Sequence, residues 1–125
     1  LPLDETDLET LFSSSDYLKV RTVDSIFVDQ TATAEYSVFL FKNQAPDAIN
    51  PPNMTCVAKS SLAPTISTVY LQVYNLTTSS WETLTSNSVA NADTPFTMTA
   101  SLTSGLDDHR DVGNWYYFRV YQLQF

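Results

Sequence analysis

Apolar and polar residues alternate with a period of two along most of this chain. In residues 68–76 (TVYLQVYNL), Val69, Leu71 and Val73 point one way and Tyr70, Gln72 and Tyr74 the other. That is the pattern of a strand with one face on a core. Residues 95–102 (PFTMTASL) set Phe96, Met98, Ala100 and Leu102 against Thr97, Thr99 and Ser101. The closing segment NWYYFRVYQLQF turns Tyr116, Phe118 and Val120 inward and Trp115, Tyr117, Arg119 and Tyr121 outward. AEYSVFLFK (34–42) is apolar on both faces toward its end, which predicts a central strand or one that faces a partner. MTCVAK (54–59) is a further strand, and Trp81–Leu84 opens the hairpin partner of 68–76 across a TTSS turn. Alternation is also read from Asp16 on, with Leu18, Val20 and Thr22 opposite Tyr17, Lys19 and Arg21, and Ser25–Asp29 continuing or pairing with that strand.

Loops separate these segments. Residues 43–53 hold Pro46, Pro51 and Pro52, which cannot serve a central ladder. Residues 60–67 form a connection, 86–93 a polar loop, and SGLDDHRDVGN a loop or a single helical turn. Only two glycines occur, Gly105 and Gly113, so long connections and crossings between sheets are expected over a meander of tight hairpins. About seven or eight strands with regular turn signals predict an all-β chain folded as a single β-sandwich, Ig-like or jelly-roll-like.

Residues 1–15 (LPLDETDLETLFSSS) break the pattern. They are acidic and then Ser-rich, with Leu8, Leu11 and Phe12 at helical spacing and Asp4 and Asp7 available as caps. One or two helical turns are unstable alone, so this arm must pack on its own domain or on a neighbouring copy. The expected organisation is an N-terminal arm at 1–15 and a β-sandwich at 16–125.

Composition narrows the class. Charged residues make up 16% of the 125, and 14 Ser and 16 Thr stand in their place, a profile that suits strands and turns. The net charge is −8 with six Lys and Arg, so there is no cationic cluster to displace counterions from nucleic acid or to bind an anionic membrane. No apolar run approaches the length of a membrane span. Cys56 is the only cysteine, which rules out an intrachain disulfide. A chain opening at Leu1 is read as mature and exported, hence extracellular or on a cell or virion surface.

Candidate chemistry is sparse. Asp107, Asp108 and Asp111 in LDDHRD offer oxygens to calcium, but Arg110 sits among them and the spacing fits no standard calcium loop; the competing reading is a polar turn capped by Asp. No other metal or cofactor is expected. His109 is the only histidine, which excludes a multi-histidine zinc site. Cys56 in an apolar strand and His109 in a distant loop make a poor nucleophile–base pair, and no orienting third group accompanies them. No catalytic residue is assigned and an enzyme is not expected.

The aromatics carry more. Tyr70, Tyr74, Trp81, Trp115, Tyr117 and Tyr121 are assigned to an exposed aromatic surface. Three uses compete for it: a protein–protein interface, a sugar-stacking platform, and cross-strand pairs that shield a sheet. Asn53-Met54-Thr55 and Asn75-Leu76-Thr77 are sequons, making Asn53 and Asn75 glycosylation candidates.

VYLQVYNLTTSSWETL (69–84), ADTPFTMTASL (92–102) and NWYYFRVYQ (114–122) together resemble β-sandwich domains of environmental bacterial and phage surface-appendage proteins. The resemblance is confined to the second half of the chain. It implies a part of a fibre, appendage or adhesin, without enzymatic activity. It also suggests a role for the arm, since in pilus-like fibres a terminal segment of one subunit packs into a groove of the next, and head-to-tail contacts of that kind generate filaments. The inter-subunit candidates are then Leu1, Leu3, Leu8, Leu11 and Phe12, with the last strand, Leu123 and Phe125, as a rival donor. The expected function is a structural subunit of an extracellular filament whose partners are copies of itself. The alternative is a carbohydrate-binding or adhesin module with glycans as partners, and a third reading is a virion structural or decoration protein.

Overall fold

The computed structural model describes residues 10–22, 24–45 and 52–125. Among them lie one helix, α1 (Ser14–Val20), and six strands: β1 (Tyr36–Gln44), β2 (Asn53–Ala58), β3 (Val69–Asn75), β4 (Ser80–Asn87), β5 (Phe96–Ser101) and β6 (Trp115–Leu123). A single 3-10 turn, Leu106–Asp108, interrupts the loop between β5 and β6. The strands form two antiparallel sheets, one in the order β1-β6-β3-β4 and one of β2 and β5. The described chain is mostly β and sandwich-like, with one short helix and fewer strands than the seven or eight expected.

The missing strands are those read from Asp16–Thr22 and Ser25–Asp29. The first is helix α1. Ser13 caps it: its hydroxyl accepts from the Asp16 amide at 3.2 Å while the Asp16 carboxylate takes the Ser13 amide at 3.0 Å. This reciprocal capping box satisfies two donors that a helix start otherwise leaves unpaired, and Lys19 supports Asp16 one turn on at 3.5 Å. With no neighbouring strand to pair, local capping decides over period-two patterning in a segment this short. The helix crosses the expected boundary between residues 15 and 16.

Only the β3–β4 connection stays within one sheet; every other link between consecutive strands crosses to the opposite sheet. The predicted preference for crossings is thus observed. The one tight hairpin turns without glycine, with Ser79 in the left-handed region at φ 53°.

The core lies between the sheets. Val69, Leu71, Val73, Tyr116, Phe118 and Val120 of β3 and β6 meet Phe96, Met98 and Leu102 of the second sheet, all of them buried. These are the residues that alternation turned inward. Removing each from water contributes on the order of 1.5–3 kcal/mol. β3 and β6 are the two central strands of the larger sheet, which explains why their other faces are covered too: Gln72, Tyr74 and Arg119 are also buried.

Two strands cannot cover four. With neighbours about 4.8 Å apart, the β2–β5 sheet spans only part of the larger sheet's inner face. β5 packs near β4, and Phe41 of β1 is partly buried at the rim of the core, as are Met54 and Cys56 of β2. Beyond that rim Phe12 continues the apolar layer, with its ring 5.9 Å from Phe41 and 6.1 Å from Phe39.

Candidate functional site

The outer face of the four-stranded sheet is built by register. Leu40 pairs with Arg119, Arg119 with Gln72, and Gln72 with Thr83, so one row runs across all four strands. Along it Arg119 Nε donates to Gln72 Oε1 at 2.8 Å and Gln72 Nε2 donates to Thr83 Oγ1 at 2.9 Å. The rows on either side are aromatic. Tyr121 stacks on Tyr70 at 5.1 Å and meets Tyr36 edge-on at 5.7 Å. Tyr74 meets Trp81 edge-on at 5.1 Å. Arg119 serves both groups, its guanidinium 4.3 Å from the Trp81 ring and 5.2 Å from the Tyr121 ring. Burial pulls the Arg119 pKa down from its ordinary value, and the neighbouring Tyr121 acts the other way.

This arrangement corrects the expected exposed aromatic surface. Tyr74 is buried and Tyr70, Trp81, Trp115, Tyr117 and Tyr121 are half-buried. The rings cover one another and the Arg119 side chain, and Lys42 sits 5.0 Å over Trp115. Alternation placed them on the correct face; it held no information on how far a central Arg would draw them together. At one end of this face Tyr36, Tyr70, Tyr121, Ile66 and Leu123 line a shallow depression of about 380 Å³. Tyr36 and Ile66 are exposed there.

The N-terminal segment forms a second candidate surface. Of the expected inter-subunit residues, Leu1, Leu3 and Leu8 lie outside the described residues. Phe12 packs on Phe39 and Phe41 of its own chain. Leu11 is 75% exposed, and α1 has no buried residue, leaving Tyr17, Leu18 and Val20 exposed. Between this segment, residues 28–31 and β1 lies a cleft of about 470 Å³, floored by Val38 and Phe39. The rival donor is corrected. The last strand is no free arm, because β6 lies between β1 and β3 with Leu123 opposite Tyr36. A central position supplies ladder bonds on both edges, which a detached terminal strand would forfeit. Only Phe125 protrudes, 74% exposed.

The three calcium candidates are not gathered into a site. Asp107 pairs with Arg110, and the Asp108 carboxylate accepts from the Thr77 hydroxyl. Asp111 folds the turn before β6: Oδ1 accepts from the Gly113 and Trp115 amides, and Oδ2 from the Tyr117 hydroxyl at 2.7 Å. Those bonds, the Trp115 amide first, hold its carboxyl below the usual carboxylate range. Among the described residues no three His, Cys, Asp or Glu side chains converge as metal ligands would.

Cys56 packs against the core beside Met54, and burial pushes its thiol up to about 11, the opposite of an activated nucleophile. His109 is buried in an arrangement the sequence did not reveal. Its Nε2 lies 2.9 Å from Glu82 Oε2 on β4, and its Nδ1 lies 2.7 Å from the Gly105 carbonyl. Only tertiary contact joins residues 82 and 109. The sequons differ in access. Asn53 is exposed, whereas Asn75 is buried and bound through both ends of its amide, to Glu82 and to the Thr78 amide.

Among the described residues no helix is long and apolar enough to cross a membrane. Compared with protein-family models, with curated proteins and with solved structures, the chain finds no match in any of the three.

Proposed function

We propose that this chain is a structural subunit of an extracellular filament or appendage, assembling head to tail through its N-terminal segment. The observation that carries the reading is the way Phe12 fills the uncovered rim of the sandwich. One ring on Phe39 and Phe41 anchors a segment whose other apolar side chains, Leu11, Tyr17 and Leu18, stay exposed. A segment that, among the described residues, meets its own β1 chiefly through this ring loses little by leaving it. Between α1 and β1 the described residues form no helix or strand. A connection of some fifteen residues reaches up to about 50 Å when extended. The same Phe12 seat on a neighbouring copy is therefore within reach, and exchange of that kind, repeated without closing, builds a filament.

The test is the oligomeric state of the full chain, by size exclusion with light scattering and by negative-stain microscopy. Assemblies that shorten or vanish on Phe12→Ala and on deletion of residues 1–15 support the reading. A chain that stays monomeric at high concentration, or filaments indifferent to both changes, would overturn it.

A second reading, a carbohydrate-binding module, draws on the depression at Tyr36, Tyr70 and Tyr121. Rings of this kind stack on pyranose faces, and these three line one depression, Tyr121 against both Tyr70 and Tyr36. A glycan array with monomeric protein, repeated on Tyr36→Ala, separates the two. A specific signal lost in the variant favours the module.

A further inference from the structure

The loop between β5 and β6 is fastened to the turn of the β3–β4 hairpin through Asp108. The Leu76 and Thr77 amides both donate to the Asp108 carbonyl, at 2.8 and 3.4 Å, and the Thr77 hydroxyl donates to Asp108 Oδ1 at 2.9 Å. Immediately after, His109 turns inward and is 5% exposed. Gly105, at φ 63°, makes the left-handed turn that lets the loop double back so that its carbonyl meets the ring.

Both ring nitrogens of His109 face oxygens that can only accept. Gly105 offers a carbonyl at 2.7 Å and Glu82 a carboxylate oxygen at 2.9 Å. A neutral imidazole carries one N–H and one lone pair. Whichever tautomer it takes, one lone pair then points at an oxygen at hydrogen-bond distance. Only the imidazolium, with two N–H groups, satisfies both contacts. The other Glu82 oxygen is held by the Asn75 amide at 2.7 Å, so the carboxylate cannot turn away without breaking a second bond.

We propose that the His109–Glu82 pair is a pH-sensitive clasp, closed while the ring carries both protons and open once it has lost one. Other nearby groups do not substitute for Glu82. The hairpin contributes neutral Asn75 and Thr77; from the loop, Asp107 and Arg110 pair with each other and Asp108 engages Thr77. On the acid side the clasp persists, because hydrogen bonds from His109 and Asn75 hold the Glu82 carboxyl below the usual range. Its contribution is present above the unfolded carboxylate value and is lost as pH falls through the depressed folded one. The clasped loop carries Leu106, which packs on the Val73, Leu102, Tyr116 and Phe118 cluster, and it is one of the links that cross from one sheet to the other. Opening therefore loosens the joint between the sheets and leaves the ladders intact.

His109 is the only histidine, so its ring nitrogen shifts are read without ambiguity by NMR. Hydrogen-exchange protection of the Leu76 and Thr77 amides reports docking of the loop. In the wild-type chain these protection factors are expected to fall at least about tenfold as the ring becomes neutral. In Glu82→Gln the side-chain amide can donate to a neutral Nε2, so protection should stay level over the same range. Unchanged wild-type protection across the ring titration, or a neutral ring at a pH where the loop is fully protected, would overturn the clasp. So would a folded Glu82→Gln chain that keeps the wild-type pH dependence. The wild-type measurements decide the matter even if the variant fails to fold.

Discussion

The guanidinium of Arg119 on β6 lies 4.3 Å from the centre of the Trp81 ring on β4, with β3 between them. The two strands are about 10 Å apart, so the side chain reaches over Gln72 and bonds it on the way through Nε at 2.8 Å. A planar fork lies flat on the ring while its edge donates to Gln72, a fixed geometry that the compact ammonium of lysine does not reproduce. Arg119→Lys should therefore cost roughly 1–2 kcal/mol, and Arg119→Ala roughly 2–4 kcal/mol, because it also leaves Gln72 Oε1 without its donor. Urea unfolding measures both. Equal stability of the Arg119→Lys variant and the wild-type chain would show that stacking contributes nothing.

Asp111 gives a pH dependence with a definite sign. Its carboxylate accepts from the Trp115 and Gly113 amides and the Tyr117 hydroxyl, and its pKa is lowered in the fold. The turn it organises should be fully formed above the ordinary carboxylate range and loosen as pH falls through the depressed value. Chemical shifts of the Gly113 and Trp115 amides follow this directly. Asp111→Ala should remove about 1–2 kcal/mol by orphaning those donors, and Asp111→Asn should retain the amide bonds and reverse the third, its side-chain amide donating to the Tyr117 oxygen.

Cys56 should be slow to react. Burial raises its thiol to about 11, so at pH 8 the native chain should meet a thiol reagent roughly a hundredfold more slowly than the urea-unfolded chain. Similar rates in both states would mean that β2 opens readily from the larger sheet.

The two sequons should separate in a glycosylating host. A sugar on Asn75 Nδ2 would displace its 2.7 Å bond to Glu82 and would have to fit at a site 6% exposed. Peptide mass analysis of secreted, folded chain should find glycan at Asn53 alone. Folded protein modified at Asn75 would contradict the Asn75–Glu82 contact.

Much of the fold was legible because strand patterning is local. The inward residues of β3, β5 and β6 were each readable from alternation within a few positions. The N-terminal misreading has a local cause as well: Leu18, Val20 and Thr22 alternate, but Ser13 and Asp16 form a capping box that a search for alternation passes over. Side-chain partnerships lay beyond such reading. Arg119 and Gln72 meet because β3 and β6 are antiparallel neighbours in one particular register, and a shift of a single residue would send Arg119 into the core.

The sequence by itself determined a mostly β chain, the inner face of its central strands and a net charge of −8, because period-two burial and net charge depend only on residue order and type. Tertiary structure alone decided that six strands divide four and two among the described residues, that β6 is a central strand, and that the aromatic face closes around a buried arginine. It also set Glu82 against His109. Each of these depends on which strands are neighbours and in what register, and that is fixed by the summed packing of segments far apart in the chain.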